Sequence, residues 1–187
     1  MKLTDKFKLT DAERDQRLAF LHLAPADFQL LATLRKDIEK LIPGIVAEFY
    51  VELLKFSEPR RQFADAKTLA RVQAGQRGYL LSLFGGEPDD AYIEQRLRIG
   101  EIHERIGVPL KWYIGSMGWF FERLIAALPA ASRTPEVAVA LNKVMNLDLQ
   151  LALESYASLA SRMKILDQRI KETASALNDV LDQDRRG

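Results

Sequence analysis

Arg96-Leu97-Arg98-Ile99-Gly100-Glu101-Ile102-His103-Glu104-Arg105-Ile106-Gly107-Val108-Pro109-Leu110-Lys111-Trp112-Tyr113 is the stretch whose reading decides the fold. Tyr92, Ile99, Ile102 and Ile106 recur with His103 at spacings of three and four, the period of an amphipathic helix. Gly107-Val108-Pro109 ends that helix. A new helical pattern then opens, carrying Trp112, Gly115, Trp119, Phe120 and Leu124.

The same period extends in both directions. Thr10-Asp11-Ala12-Glu13 reads as a capping box opening a short first helix. Pro25 starts a second, with Phe28, Leu31, Leu34, Ile38 and Leu41 on one face, and Pro43-Gly44 is expected to break it. A third helix is expected to carry Val46, Phe49, Tyr50 and Leu53. After Glu58-Pro59 a fourth runs from Ala66 to Phe84, and Pro88 is expected to begin the fifth, which ends near Ile106. Pro129 closes the sixth, and Thr134-Pro135-Glu136 restarts the chain with a hydroxyl cap and a proline at the first helical position. No β-branched alternation is long enough for a sheet. The expected class is all-α, six to eight helices packed as one unit.

After Pro135 no glycine or proline occurs until Gly187. A continuous helix of that length would be on the order of 70 Å, more than a small globule covers. Tyr156, Leu159, Met163, Leu166, Ile170, Thr173, Leu177 and Val180 form a heptad seam along its later part. Two units are therefore expected. Residues 1–155 form a helical globule, and residues 156–187 form a coiled-coil-like linker that pairs with a second subunit and leads towards an output module.

Composition excludes several function classes. Lys and Arg total 27 against 26 Asp and Glu, so no strong field favours nucleic acid or an anionic membrane. There is no cysteine, which removes disulfides, thiolate metal sites and a cysteine nucleophile and fits a reducing, cytoplasmic setting. Neither a signal peptide nor an uninterrupted apolar span is present. Phe84-Gly85-Gly86-Glu87 superficially matches a diguanylate cyclase signature, but Pro88-Asp89-Asp90 follows it and a turn plus helix start explains it better.

Only His22 and His103 are available as imidazole ligands, so a metal site built from several His or Cys side chains is excluded. His22, beside the Pro25 break, reads as structural. A lone histidine on an apolar stripe is ordinarily a satisfied core residue. One histidine nonetheless suffices when a cofactor supplies the remaining ligands, and haem, with four nitrogens, needs only an axial protein ligand. Tyr50 lies within an apolar face beside Phe49, where a buried phenol needs a hydrogen-bond partner. Taken alone it reads as a core tyrosine bonded to a backbone carbonyl. Aimed at a partly negative ligand, its hydroxyl would contribute about 1.5–3 kcal/mol.

The 96–113 stretch closely resembles the proximal segment of globin-coupled sensors, as do the Phe49-Tyr50 pair and Gly78-Tyr79-Leu80-Leu81-Ser82-Leu83-Phe84. The resemblance covers about residues 10 to 180. It implies a sensor-globin fold with a long C-terminal helix, and haem b held between the helices bearing Tyr50 and His103. It implies His103 as the iron ligand and Tyr50 as the distal donor to O2, with CO and NO as further ligands. Phe49, Val72, Gly75 and Ile99 would line the cofactor, and the Tyr113 hydroxyl would meet the second imidazole nitrogen. Several family members carry Thr or Ser where this chain has Gly75, so Tyr50 would act alone or with water. The last two helices would form a homodimer.

The function implied is a haem-based oxygen sensor with no enzymatic activity of its own. It would regulate a C-terminal output module, a diguanylate cyclase or a methyl-accepting domain, absent from these residues. Two alternatives stay open: a single-domain oxygen-binding or redox globin, and a haem-free interaction module.

Overall fold

The computed structural model describes residues 2–63, 65–156 and 171. Among them there are helices and turns but no strand. The helices are α1 (Leu3–Lys6), α2 (Asp11–Phe20), α3 (Pro25–Thr33), α4 (Arg35–Leu53), α5 (Ser57–Arg60), α6 (Ala66–Ser82), α7 (Asp90–Arg105) and α8 (Leu110–Ala127). A final helical run, α9, occupies 135–156. Met163, Leu166 and the rest of the heptad seam beyond Tyr156 lie outside the described residues, as does the 156–187 linker as a unit.

The caps are those the local chemistry favours. Thr10 Oγ1 accepts from the Glu13 backbone N–H, Asp65 from Thr68, and Asp89 from Tyr92, each satisfying a donor that the first helical turn leaves free. Helix α7 thus begins at Asp90 behind an Asp89 cap, two residues later than expected from Pro88. Gly86 (φ 104°) and Gly107 (φ 72°) make the turns on either side of α7 in left-handed conformations that suit glycine.

One boundary differs from the sequence expectation. Pro43-Gly44 does not break the chain; α4 runs through it, and the interruption falls at Leu34. Both Pro43 and Gly44 face solvent, so the carbonyl that proline leaves without a helical partner lies on the wet side of the helix. Ile38, Ile42, Ile45, Val46, Phe49 and Tyr50 meanwhile continue one buried stripe across the site. Burial of that stripe outweighs the local cost of proline. At the real break the Thr33 hydroxyl donates to the Leu30 carbonyl, a back-bond that bends helices.

Helix α4 packs on α3, α6 and α8, and α1 packs on α7. Leu31, Ile38, Leu80, Phe84, Leu97, Phe120, Leu124 and Leu141 form the fully covered centre. Phe84 belongs to it and the glycines after it make a turn, so the Phe84–Glu87 sequence is structural. His22, also at positive φ, follows the Leu21 cap of α2, and its carbonyl accepts from Lys143.

Helix α7 crosses α9 at Gly100. A Cβ there would collide with Ser155 Oγ and the Ala152 carbonyl. Only glycine lets the two backbones come this close.

Candidate functional site

His103 stands in the last turn of α7, mostly buried. Its Nδ1 lies 2.8 Å from the Ile99 carbonyl, one turn back. A carbonyl only accepts, so Nδ1 carries the proton and Nε2 keeps its lone pair. Burial pulls the imidazole below its ordinary pKa of 6.5, and the Ile99 carbonyl partly offsets that. The result is a neutral imidazole with one oriented, unprotonated nitrogen, which is the form a metal ligand needs.

The Tyr113 ring meets the imidazole edge-on at 5.1 Å and Tyr156 at 5.5 Å. This corrects one expectation: the partner of the second imidazole nitrogen is the Ile99 carbonyl, and Tyr113 touches His103 through its ring. A carbonyl within the same helical turn needs no long side chain to reach it. Burial pushes the Tyr113 hydroxyl well above its ordinary range.

Tyr50 is buried on α4, its ring edge-on to Phe49 (5.1 Å) and Phe63 (5.6 Å). Phe49 in turn stacks on Phe120 at 4.3 Å. Burial raises the Tyr50 hydroxyl to about 12, so it stays a donor at any physiological pH. Among the described residues no hydrogen bond meets it, and the carbonyl partner that an ordinary core tyrosine finds is missing. Val72 of α6 packs against the same core, and Ile99 touches both this core and the Tyr113–Tyr156 cluster. A Cβ at Gly75 would meet nothing within 4 Å, which agrees with room on that face of α6.

The apolar residues flanking His103 are not covered. Ile102, Ile106, Leu110 and Ile114, at intervals of four along the α7–α8 corner, are between 39% and 48% exposed, and Val51 and Phe56 are 64% and 51% exposed. Ile102 and Ile106 are therefore not core residues, although they share the histidine's stripe. Ile102, Ile106, Leu110 and Ile114 thus leave an exposed apolar strip along the helix that bears His103 and the start of the next. The donor set fits haem: an imidazole nitrogen and a phenol that meet no partner among the described residues, beside apolar side chains. No cluster of three or more His, Cys, Asp or Glu that could hold a metal by itself occurs among the described residues.

Sequence reasoning missed two features. Glu58 of α5 accepts from the Trp112 indole N–H at 2.7 Å and pairs with Lys111 at 2.6 Å, tying α5 to the first turn of α8. Arg96 and Asp148 form an ion pair in which both side chains are only 1% exposed. A charge at position 96, on the face shared by Tyr92, Ile99 and His103, was the available signal for the second.

The sequence matches the family described as Protoglobin over residues 10–162. It is 30% identical over 190 residues to the heme-based aerotactic transducer HemAT of Halobacterium salinarum, an alignment covering 94% of this chain and 39% of that protein. The chain thus spans well under half the length of this relative. The fold is similar to the globin domain of a Geobacter sulfurreducens globin-coupled sensor, with a TM-score of 0.69 and 21% identity over 76% of this chain and 96% of that domain. The all-α globin architecture expected from sequence is the one observed.

Proposed function

The chain belongs to the protoglobin family, and from that premise we propose that it is a haem-based gas-sensor domain of a signal transducer, with O2 as its ligand and CO and NO as further ligands. The observation that carries this reading is His103: mostly buried and neutral, its Nδ1–H committed to Ile99 and its Nε2 without a hydrogen-bond partner among the described residues. Haem b, when bound, would supply an iron centre able to take up a diatomic gas.

The protein's own residues do the rest. His103 Nε2 would hold the iron, and the Ile99 carbonyl fixes its tautomer and would raise its donor strength. Phe49, Val72, Gly75 and Ile99, with the uncovered Ile102 and Ile106, would enclose the macrocycle and keep water out. Tyr50 would keep its phenolic proton and offer it as a hydrogen-bond donor to a partly negative gas ligand. The desolvation that raises its pKa also strengthens such a bond. Gly75 contributes no second donor. Tyr113 would hold the imidazole ring plane by its edge contact.

In this reading residues 1–155 are the sensing unit and the rest of the last helix leads to an output module. A diguanylate cyclase or a methyl-accepting domain would suit that place, and the fraction of the aerotactic transducer left uncovered supports a further domain. Homodimerisation through α8 and the last helix, and a cytoplasmic setting, complete the proposal; no described helix is long and apolar enough to cross a membrane.

The test is an absorption spectrum of the purified ferrous protein with and without oxygen, beside that of His103→Ala. A histidine-ligated Soret band that shifts with oxygen and disappears in the variant is expected. An unchanged band in His103→Ala would overturn the assignment.

A further inference from the structure

Arg96 of α7 and Asp148 of α9 form the most buried ion pair among the described residues, with Nε 3.0 Å from Oδ2. The guanidinium lies 3.6 Å from the Tyr92 ring centroid and 5.1 Å from that of Tyr79. Its NH2 group donates to Ser82 Oγ of α6 at 2.7 Å, and the Tyr92 hydroxyl donates to Asp148 Oδ1. One charged pair therefore ties α6, α7 and α9 together. It does so incompletely, because Arg96 Nε and Asp148 Oδ2 face each other without the alignment of a hydrogen bond. Burying two charges is costly, and a well-packed apolar pair of similar volume is often as stable or more so. Stability alone is a poor account of this pair.

Position is a better one. Asp148, Ala152, Ser155 and Tyr156 share one face of α9. They meet, in order, Arg96, the close crossing at Gly100, and the Tyr113 ring that contacts His103. A rigid α7 hinged against that face cannot move at its His103 end without loading the ion pair two turns earlier. We propose that Arg96 and Asp148 are positioning residues that lock the His103 helix to the last helix, so that displacement of α7 reaches α9 through this pair. The proposal rests on the gas-sensor reading for its purpose, but the lock itself is a property of the chain.

The experiment compares the full chain with the double variant Arg96→Met/Asp148→Asn, which removes both charges at closely similar side-chain volume. Two signals are read: the iron–histidine stretching band of the ferrous gas-free protein, and the difference in α9 amide exchange between gas-free and gas-bound protein. With the melting temperature within about 4 °C of the parent, the band is expected to shift or broaden. The exchange difference is expected to fall roughly fivefold or more. A folded double variant with the parental band and exchange difference would overturn the proposal. If the double variant does not fold, Arg96→Lys, which keeps the charge but loses the planar fork, is read for the same two signals, and parental values there overturn it. If the parent takes up no histidine-ligated haem, the gas-sensor reading fails. The lock is then tested on the haem-free chain, where α7 and α9 amides should open as one unit in the parent and separately in the variant. A common opening in both would overturn it.

Discussion

The imidazole of His103 donates its Nδ1 proton to the carbonyl of Ile99, one turn back in the same helix. That bond leaves Nε2 as the nitrogen available to a ligand-hungry centre, held by backbone and not by a mobile side chain. Replacing the ring by nothing should therefore be reversible from outside. His103→Gly is expected to lose its haem spectrum and to regain a histidine-like Soret band when free imidazole fills the vacated space. The glycine costs about 1 kcal/mol in a helix interior, so thermal unfolding should change little. A spectrum that does not respond to imidazole would argue against His103 as the sole protein ligand.

Tyr50 separates a binding role from a packing role. Its hydroxyl meets no hydrogen-bond partner among the described residues but is not sealed from solvent, and burial of the residue pushes its pKa up to about 12. Removing a hydroxyl that makes no protein hydrogen bond and keeps contact with water changes stability little. The haem-free Tyr50→Phe protein is thus expected to be as stable as the parent to within about 1 kcal/mol. In the ferrous holoprotein the same change should speed oxygen dissociation roughly ten- to a hundredfold. Stopped-flow release and a melting curve test the two halves independently.

What the sequence made legible follows its periodicities. Tyr50, Phe49, Ile99 and His103 could be placed on helix faces because each lies in a run of apolar residues spaced three and four apart. The Leu34 break could not be found that way, since the apolar stripe passes unbroken through both Leu34 and Pro43; what differs is which side faces water. Nor could Asp148 be paired with Arg96 across 52 positions, because each sits on an ordinary amphipathic helix and only packing brings them together. Ile102 and Ile106 looked like core for a related reason. Their apolar character is real, but no described part of the chain covers it.

The buried neutral imidazole also makes the haem-free chain pH-sensitive. His103 has a folded-state pKa below the 6.5 that the unfolded chain shows. As pH falls through about 6.5, the unfolded state takes up a proton that the folded state does not, and stability is lost until the folded value is reached. Above that range the term vanishes. Haem-free protein should therefore lose stability between about pH 7.5 and 5.5, and His103→Leu should lose less over the same interval. Urea unfolding of both chains at the two pH values checks this; equal losses would mean that His103 is not the titrating group.

Gly100 is where helix propensity and packing oppose each other. In an exposed helix, Gly→Ala stabilises by about 1 kcal/mol. Here the added methyl would overlap Ser155 Oγ and the Ala152 carbonyl, and close-packed helices part only at the expense of other contacts. Overpacking of this kind typically costs about 1–3 kcal/mol, so Gly100→Ala is expected to be a net destabiliser. Ser155→Ala on the same chain should recover only part of the loss, because the Ser155 hydroxyl can be removed whereas the Ala152 carbonyl is backbone. If Gly100→Ala proves neutral or stabilising by thermal unfolding, α7 and α9 do not approach this closely in solution. The route from His103 towards the last helix would then have to lie elsewhere.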